Sequence, residues 1–277
     1  MYTFINSLDD LAFLNKELLN RPYVAVDTEF RRTTKDNMRL ALLQVNDGEE
    51  IYLIDSISIK EPRGQASFLF TNSVVKIFHS CKEDIEAIYA WTGEVMNNLF
   101  DTQLANAFLN GDFSIGYQGL VEEKLGITID KGETRSNWIR RPLTDSQLNY
   151  AVSDVEFLIE LYLDQKKSLE KNDKLGWLQE ELSLLTSKIF EPFNEDTKTK
   201  ISLTKAEEKQ LLEKLNNIVI KISVANSINP TLFFSKKSQK EFMRLTLNEG
   251  LEESISTITE WRSNLIKKPL EVLLRDF

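Results

Sequence analysis

The chain has 277 residues, 42% of them hydrophobic and 28% charged, with 34 Lys and Arg against 43 Asp and Glu for a formal net charge of −9. This is ordinary globular composition, long enough for one large domain and a small one, and no stretch approaches the ~20 apolar residues that span a bilayer, so no membrane partner is expected. A single cysteine, Cys81, and a single histidine, His79, exclude an internal disulfide and a zinc centre built on the two.

The opening residues MYTFINSLDDLAF lack a basic segment and a small-residue cleavage site, so a cytoplasmic, reducing location is expected. Taken whole, the acid excess argues against a polyanionic partner. The charge is uneven, however. Residues 201–277 carry 12 Lys and Arg against 10 Asp and Glu, which leaves 22 against 33 in residues 1–200.

In chain order, residues 7–19 pattern as a helix and Tyr23-Val-Ala-Val-Asp-Thr-Glu-Phe30 as a strand. Runs at 40–45 and 50–55 flank Asn46-Asp-Gly48, whose Asp-Gly pair marks a hairpin. Val74–His79 reads as a fourth strand and Asn98–Asp101 as a short fifth. Helices are expected over 82–92, 102–110 and 117–125, the last stopped by Gly126. A long helix begins at Thr144, where Thr144-Asp-Ser-Gln147 fits a capping box. Strands first and then strands alternating with helices describe an α/β domain with a mixed sheet, placed at 1–190. The polar stretch Pro192–Lys200 reads as a linker, and 201–277 shows only helical patterns, with Pro230 suited to a first helical position.

Asp27 and Glu29 lie two apart in the first strand, so both project from one face. Two such carboxylates stay ionised in a buried place only when a cation neutralises them, and all-oxygen ligands select hard ions such as Mg²⁺ or Mn²⁺. Asp84 falls in the first turn of the helix after the His79 strand, where the helix dipole favours an acid. Tyr150 and Asp154 are one turn apart on one face of the Thr144 helix. Each feature alone is commonplace: Asp-x-Glu is a frequent surface tripeptide, and acids at helix starts are routine. A lone His at a strand end is ordinarily structural, and Cys81 without a second histidine to activate it is a packing residue.

Together, in this order, the features resemble the DEDD exonucleases, in the subclass with a tyrosine in the third motif, and among these the ribonuclease D family. Val26-Asp-Thr-Glu-Phe30 with Leu42-Leu-Gln44 and Leu53-Ile-Asp55 resembles the first motif and its hairpin. Phe78–Ile85 resembles the second motif, and Phe100-Asp-Thr-Gln103 the segment after it. Trp138–Thr144 with Tyr150-Ala-Val-Ser-Asp154 is similar to the third motif and its lead-in; the resemblance covers about residues 3–165.

The resemblance implies a ribonuclease-H-like sheet and two divalent ions. Asp27, Glu29 and Asp154 would hold the ion that activates water, and Asp27 would help hold the second, with Asp84 acting through bound waters. Tyr150 would orient the attacking water rather than serve as base, since an unperturbed phenol has a pKa of ~10. The activity implied is a 3′–5′ exoribonuclease trimming RNA 3′ ends such as those of tRNA precursors and releasing 5′-nucleotides.

Basic residues near these motifs, namely Arg31 with Arg32, Lys131, Arg135, Arg140 and Arg141, are candidates to receive phosphates, as is His79. Phe30 and Tyr117 are candidates to stack on terminal bases. Each also has a bland reading as solvated charge or core aromatic. Residues 201–277 resemble a single helical domain of the HRDC type through Ala225–Leu232, Ser235-Lys-Lys237 and Thr259–Leu265, where bacterial ribonuclease D typically has two. Lys236, Lys237, Lys267 and Lys268 would allow an auxiliary RNA contact, and a monomer is expected. A DNA exonuclease and a catalytically silent binding module are the alternatives, separated from the first reading by substrate preference and by activity itself.

Overall fold

The computed structural model describes residues 1–34, 37–129, 132, 136–190 and 203–275. The chain divides into two compact units, Met1–Ala105 with Ser114–Ser168 and Asn106–Phe113 with Leu169–Phe277. Among the described residues, no helix is long and apolar enough to cross a membrane.

The first unit is a mixed sheet flanked by helices, as expected. Its strands are β1 (Tyr2–Ile5), β2 (Tyr23–Thr34), β3 (Asn37–Asn46), β4 (Ile51–Ile54), β5 (Val75–Phe78) and β6 (Leu99–Asp101), in the order β1-β4-β3-β2-β5-β6. β2 and β3 are central. Val24, Ala25 and Val26 are fully buried, and so are Ala41 through Val45, a run apolar but for Gln44, as in strands covered on both faces. β3 runs antiparallel to β2 and β4, and β5 runs parallel to β2 and β6. The β3–β4 turn forms where the Asp-Gly pair predicts it. Asp47 Oδ1 accepts from the backbone N–H groups of Glu49 (2.9 Å) and Glu50 (2.8 Å), and Gly48 supplies a φ of +90°. Edge strand β1, parallel to β4, has no sequence expectation behind it.

The helices of this part of the chain are α1 (Leu8–Leu18), α2 (Lys82–Thr92), α3 (Thr102–Phe108), α4 (Tyr117–Leu125), α5 (Asp145–Glu156) and α6 (Leu158–Lys171). The one long helix expected from Thr144 is in fact two. At Phe157 the backbone N–H donates to the Tyr117 hydroxyl (3.0 Å), and Asn46 Nδ2 donates to the carbonyls of Val155 (3.0 Å) and Glu156 (3.3 Å). Side chains inserted into the helical ladder end α5 there.

The second unit contains α7 (Leu175–Phe190), α8 (Lys205–Ala225), α9 (Pro230–Phe234), α10 (Lys236–Glu249), α11 (Leu251–Ser256) and α12 (Glu260–Arg275). Pro230 opens α9 behind an Asn229 cap. Its core is centred on Trp261, which is 2% exposed, stacks on Trp177 at 5.1 Å and meets the edge of Phe108 at 5.2 Å. Glu181 accepts from Trp261 Nε1 (2.7 Å) and Thr259 Oγ1 (2.6 Å) and pairs with Arg262 (2.8 Å). The buried Lys174 ammonium donates to the carbonyls of Phe108 (2.9 Å) and Ser227 (2.8 Å). These contacts group α7 and residues 106–113 with the C-terminal helices, a division different from 1–190 and 201–277. The proposed linker Pro192–Lys200 lies outside the described residues.

Trp261→Ala removes the ring that Trp177, Phe108 and Phe233 pack against. The expected loss is about 3–5 kcal/mol of unfolding free energy, read as a lower urea midpoint. A loss below about 1 kcal/mol would show that the core is centred elsewhere.

Candidate metal centre

β2 carries Asp27 and Glu29 two residues apart, and α5 brings Asp154 to them. One carboxylate oxygen from each lies within 4.8 Å of the others. The placement of α5 has local causes. The capping box forms, with Gln147 N–H donating to Thr144 Oγ1 (3.2 Å) and Thr144 N–H to Gln147 Oε1 (3.0 Å). Gln147 Nε2 also donates to Ser136 Oγ (2.8 Å), and Ala151 packs with Ala41, Leu42, Leu53 and Trp138. The helix is therefore fixed both along its axis and onto the sheet.

Tyr150 is half-buried beside Trp138, with ring centroids 6.0 Å apart, and hydrogen-bonds Asp154. Asp84, 7% exposed near the start of α2, accepts from Thr28 Oγ1 (2.5 Å). It stands outside the three-residue oxygen cluster yet acts electrostatically on Asp27 and Glu29.

Charge is hard to hold here. Burial first, then repulsion from Asp84, Asp154 and Glu29, drives Asp27 well above the usual carboxylate range. Burial, Asp154 and Asp84 push Glu29 up to about 9. Burial raises Asp84 and Asp154 each to about 7, against the opposing hydrogen bonds from Thr28 and Tyr150. Protonation or a bound cation relieves such a cluster, and a set of carboxylate oxygens fits a hard divalent ion.

Asp101, the residue before α3, enters the sequence motifs only as a member of Phe100-Asp-Thr-Gln103. Its carboxylate accepts from four backbone N–H groups: Ser80 (3.2 Å), Cys81 (2.8 Å), Gln103 (2.9 Å) and Leu104 (3.0 Å). It thereby holds the turn into α2, where Ser80 takes a φ of +65°, and caps α3. The available signal was an acid followed by Thr-Gln after a short strand. Cys81 is fully buried and burial raises its thiol pKa, consistent with a packing role.

Two expected substrate contacts are committed to the protein itself. His79 Nε2 donates to the Ile115 carbonyl (3.0 Å) and Nδ1 lies 2.9 Å from Thr102 Oγ1, while burial lowers its pKa. Neither ring nitrogen is left for a phosphate. The Arg141 guanidinium donates to the carbonyls of Trp138 (2.6 Å) and Ala41 (2.7 Å) and pairs with Asp55 at 2.5 Å, tying the α5 lead-in to the sheet. Tyr117 is half-buried against His79, with centroids 5.9 Å apart, and its hydroxyl serves Phe157. Arg32 pairs with Glu86 across β2 and α2. Phe30 is half-buried, and Arg31 and Arg140 are exposed. Lys131 and Arg135 lie outside the described residues. Beside Tyr150 opens a cavity of about 630 Å³, lined by Ser146, Asn149 and Ser153 of α5 and by Ile127 and Ile129.

Residues 2–170 match the sequence family described as 3′–5′ exonuclease. The chain is 37% identical over 186 residues to ribonuclease D of Shewanella sp. (strain ANA-3), covering 67% of this chain and 48% of that one. It is 42% identical over 166 residues to ribonuclease D of Pseudomonas paraeruginosa, covering 60% and 44%. The chain thus spans about half the length of the curated relatives it matches. The crystal structure of Escherichia coli RNase D, described as an exoribonuclease involved in structured RNA processing, superposes with a TM-score of 0.65 at 25% identity, covering 100% of this chain and 75% of that one. Because the family match takes in the whole sheet and every carboxylate that converges on it, this chain belongs to the 3′–5′ exonuclease family.

Proposed function

We propose that the protein is a metal-dependent 3′–5′ exoribonuclease that trims the 3′ ends of small structured RNAs such as tRNA precursors, acting as a monomer in the cytoplasm. The observation that carries this reading is the convergence of Asp27, Glu29 and Asp154 oxygens within 4.8 Å in a place that disfavours their charge. In this reading Asp27, Glu29 and Asp154, with Asp84 beside them, hold two divalent ions, Mg²⁺ or Mn²⁺. Such ions lower the pKa of water and stabilise the attacking and leaving oxygens of an in-line displacement at phosphorus.

The chain's own residues do the positioning. The Tyr150 hydroxyl, tied to Asp154, orients the attacking water. Arg31 and Arg140, both exposed, receive backbone phosphates, and Phe30 offers a ring for a terminal base. His79 and Arg141 act indirectly, by fixing the segment before α4 and the lead-in to α5. The likeness to ribonuclease D of two bacteria and to the E. coli RNase D structure supports RNA over DNA as substrate.

The decisive assay is a time course on 3′-extended tRNA and a matched single-stranded DNA, each with Mg²⁺, Mn²⁺ or chelator. Release of 5′-nucleotides from the RNA with either metal and none with chelator is expected. Faster digestion of the DNA would favour the DNA exonuclease, and equal digestion in chelator would end the metal reading. Asp27→Asn is expected to slow cleavage about a thousandfold or more, since a metal site supplies several kcal/mol of transition-state stabilisation. Tyr150→Phe should be slower yet folded; an unchanged rate would remove its role with the water.

The carboxylates also predict how stability depends on pH. Unfolded carboxyls titrate near pH ~4, whereas here the folded values lie at about 7 for Asp84 and Asp154 and about 9 for Glu29. The folded, metal-free protein therefore binds more protons than the unfolded chain. That stabilisation is full below about pH 4 and is lost as the pH rises through about 7 and then about 9. Thermal unfolding in chelator should show a midpoint that falls over this window, and Mg²⁺ should restore it most at the alkaline end. A midpoint indifferent to both pH and Mg²⁺ would mean that the cluster does not bind cations.

A further inference from the structure

Gln44, on β3, is fully buried, and neither its amide nitrogen nor its amide oxygen has a hydrogen-bond partner among the described residues. Buried amides are ordinarily paired, because each unpaired donor or acceptor forfeits its hydration without return. The surroundings make the choice of residue stranger. Gln44 lies directly across the ladder from Leu53 on β4, and its same-face neighbour on β3, Leu42, is packed with Ala151 of α5. A leucine or methionine would fill this layer at no polar cost.

On its other side Gln44 lies directly opposite Asp27 in the antiparallel β2–β3 register, just as Leu42 lies opposite Glu29. Directly opposed residues project from the same face, with Cβ atoms about 4.5–5.5 Å apart, which a glutamine side chain spans. The unpaired amide thus shares the α5-facing side of the sheet with the carboxylates of the cluster. A carboxylate has about four lone-pair sites, and those not turned to a cation need donors. An amide supplies them without positive charge, so it orients the carboxylate and leaves intact the negative field that draws the cation.

We propose that Gln44 is a positioning residue for Asp27: with a divalent cation bound, its amide donates to the Asp27 carboxylate and sets the orientation in which that carboxylate meets the ion. The donation is not made in the present arrangement of side chains. It rests on the reading of the Asp27, Glu29 and Asp154 cluster as a cation site.

The test is calorimetric titration of the purified full chain with Mn²⁺, paired with its thermal midpoint in chelator, for wild type, Gln44→Met, Gln44→Leu and Asp27→Asn. Gln44→Met keeps the length of the side chain and removes the amide. The expected result is a 10- to 100-fold weaker Mn²⁺ affinity, the range found on removing partners that orient metal ligands, with a thermal midpoint equal to or above wild type. The Mg²⁺ concentration for half-maximal cleavage should rise in parallel, and the rate at saturating Mg²⁺ should recover more than the rate at low Mg²⁺. Gln44→Leu guards against a packing defect particular to methionine and should weaken Mn²⁺ similarly. Mn²⁺ affinity within about twofold of wild type in both variants would overturn the proposal, whatever their midpoints. If wild type binds no Mn²⁺, or Asp27→Asn binds it as well as wild type, the cation-site reading fails and takes this one with it. The Asp27→Asn arm thus separates the two failures.

Discussion

Carboxylates drawn into a poorly hydrated corner repel each other and lose the water that would keep them charged, and this conflict governs the rest of the first unit. The oxygens of Asp27, Glu29 and Asp154 lie within 4.8 Å of one another. The fold holds them together regardless, because each is fixed by an element anchored elsewhere. β2 is locked between β3 and β5, α5 is pinned on the sheet, and α2 is set by the Asp101 carboxylate and its four backbone donors. Packing of the apolar sheet and helices therefore sustains an arrangement that electrostatics alone would disperse. Such strain, sustained by the scaffold, is characteristic of a site awaiting a ligand of opposite charge.

Much of the polar chemistry around the cluster is spent on placement. The Arg141 guanidinium joins the lead-in of α5 to Asp55 and the carbonyl of Ala41. His79 fixes Ile115, and through it the approach to α4 and Tyr117. Gln103 Nε2 donates to the same Ile115 carbonyl (2.8 Å), so this one carbonyl is held twice. Residues that look available for phosphate in one dimension are part of the frame in three. Among the described phosphate candidates, Arg31 and Arg140 are exposed.

How much of this was legible in the sequence depended on whether the signal was local. Strands β2 to β6, the Asp-Gly hairpin, the capping box at Thr144 and the alternation that puts Asp27 with Glu29 each rest on residues a few positions apart, and each has its counterpart in the structure. Bringing Asp154 to Asp27 is a long-range event, and only the ordered set of motifs pointed to it. The commitments of His79 and Arg141 depend on Ile115, Thr102, Ala41 and Asp55, none of which spacing alone connects to them. Edge strand β1 pairs with β4, some fifty positions on, and no turn signal beside it marks that pairing. Likewise α7 meets the C-terminal helices through Trp177 and Trp261, partners 84 positions apart that no local pattern connects. Gln44 enters the sequence motifs only as the last residue of Leu42-Leu-Gln44; its register opposite Asp27 and its lack of partners among the described residues are what give it a role.

The break between α5 and α6 has a mechanical meaning. A helix running unbroken from Asp145 to Lys171 would act as a lever, passing any roll or tilt at its far end straight to Asp154. Instead α5 is a rod of 12 residues, clamped by Thr144 and Gln147 at one end and by Asn46 and the Tyr117 hydroxyl at the other. With both ends gripped by the unit that also holds Asp27 and Glu29, Asp154 keeps its azimuth, and α6 is held by contacts of its own, Tyr162 against Tyr23 and Phe100 and Gln165 Nε2 donating to the Thr102 carbonyl (2.9 Å). The joint at Phe157 thus gives α5 an end of its own, less than a turn beyond Asp154, so the carboxylate is placed by the clamps of α5 rather than by those of α6.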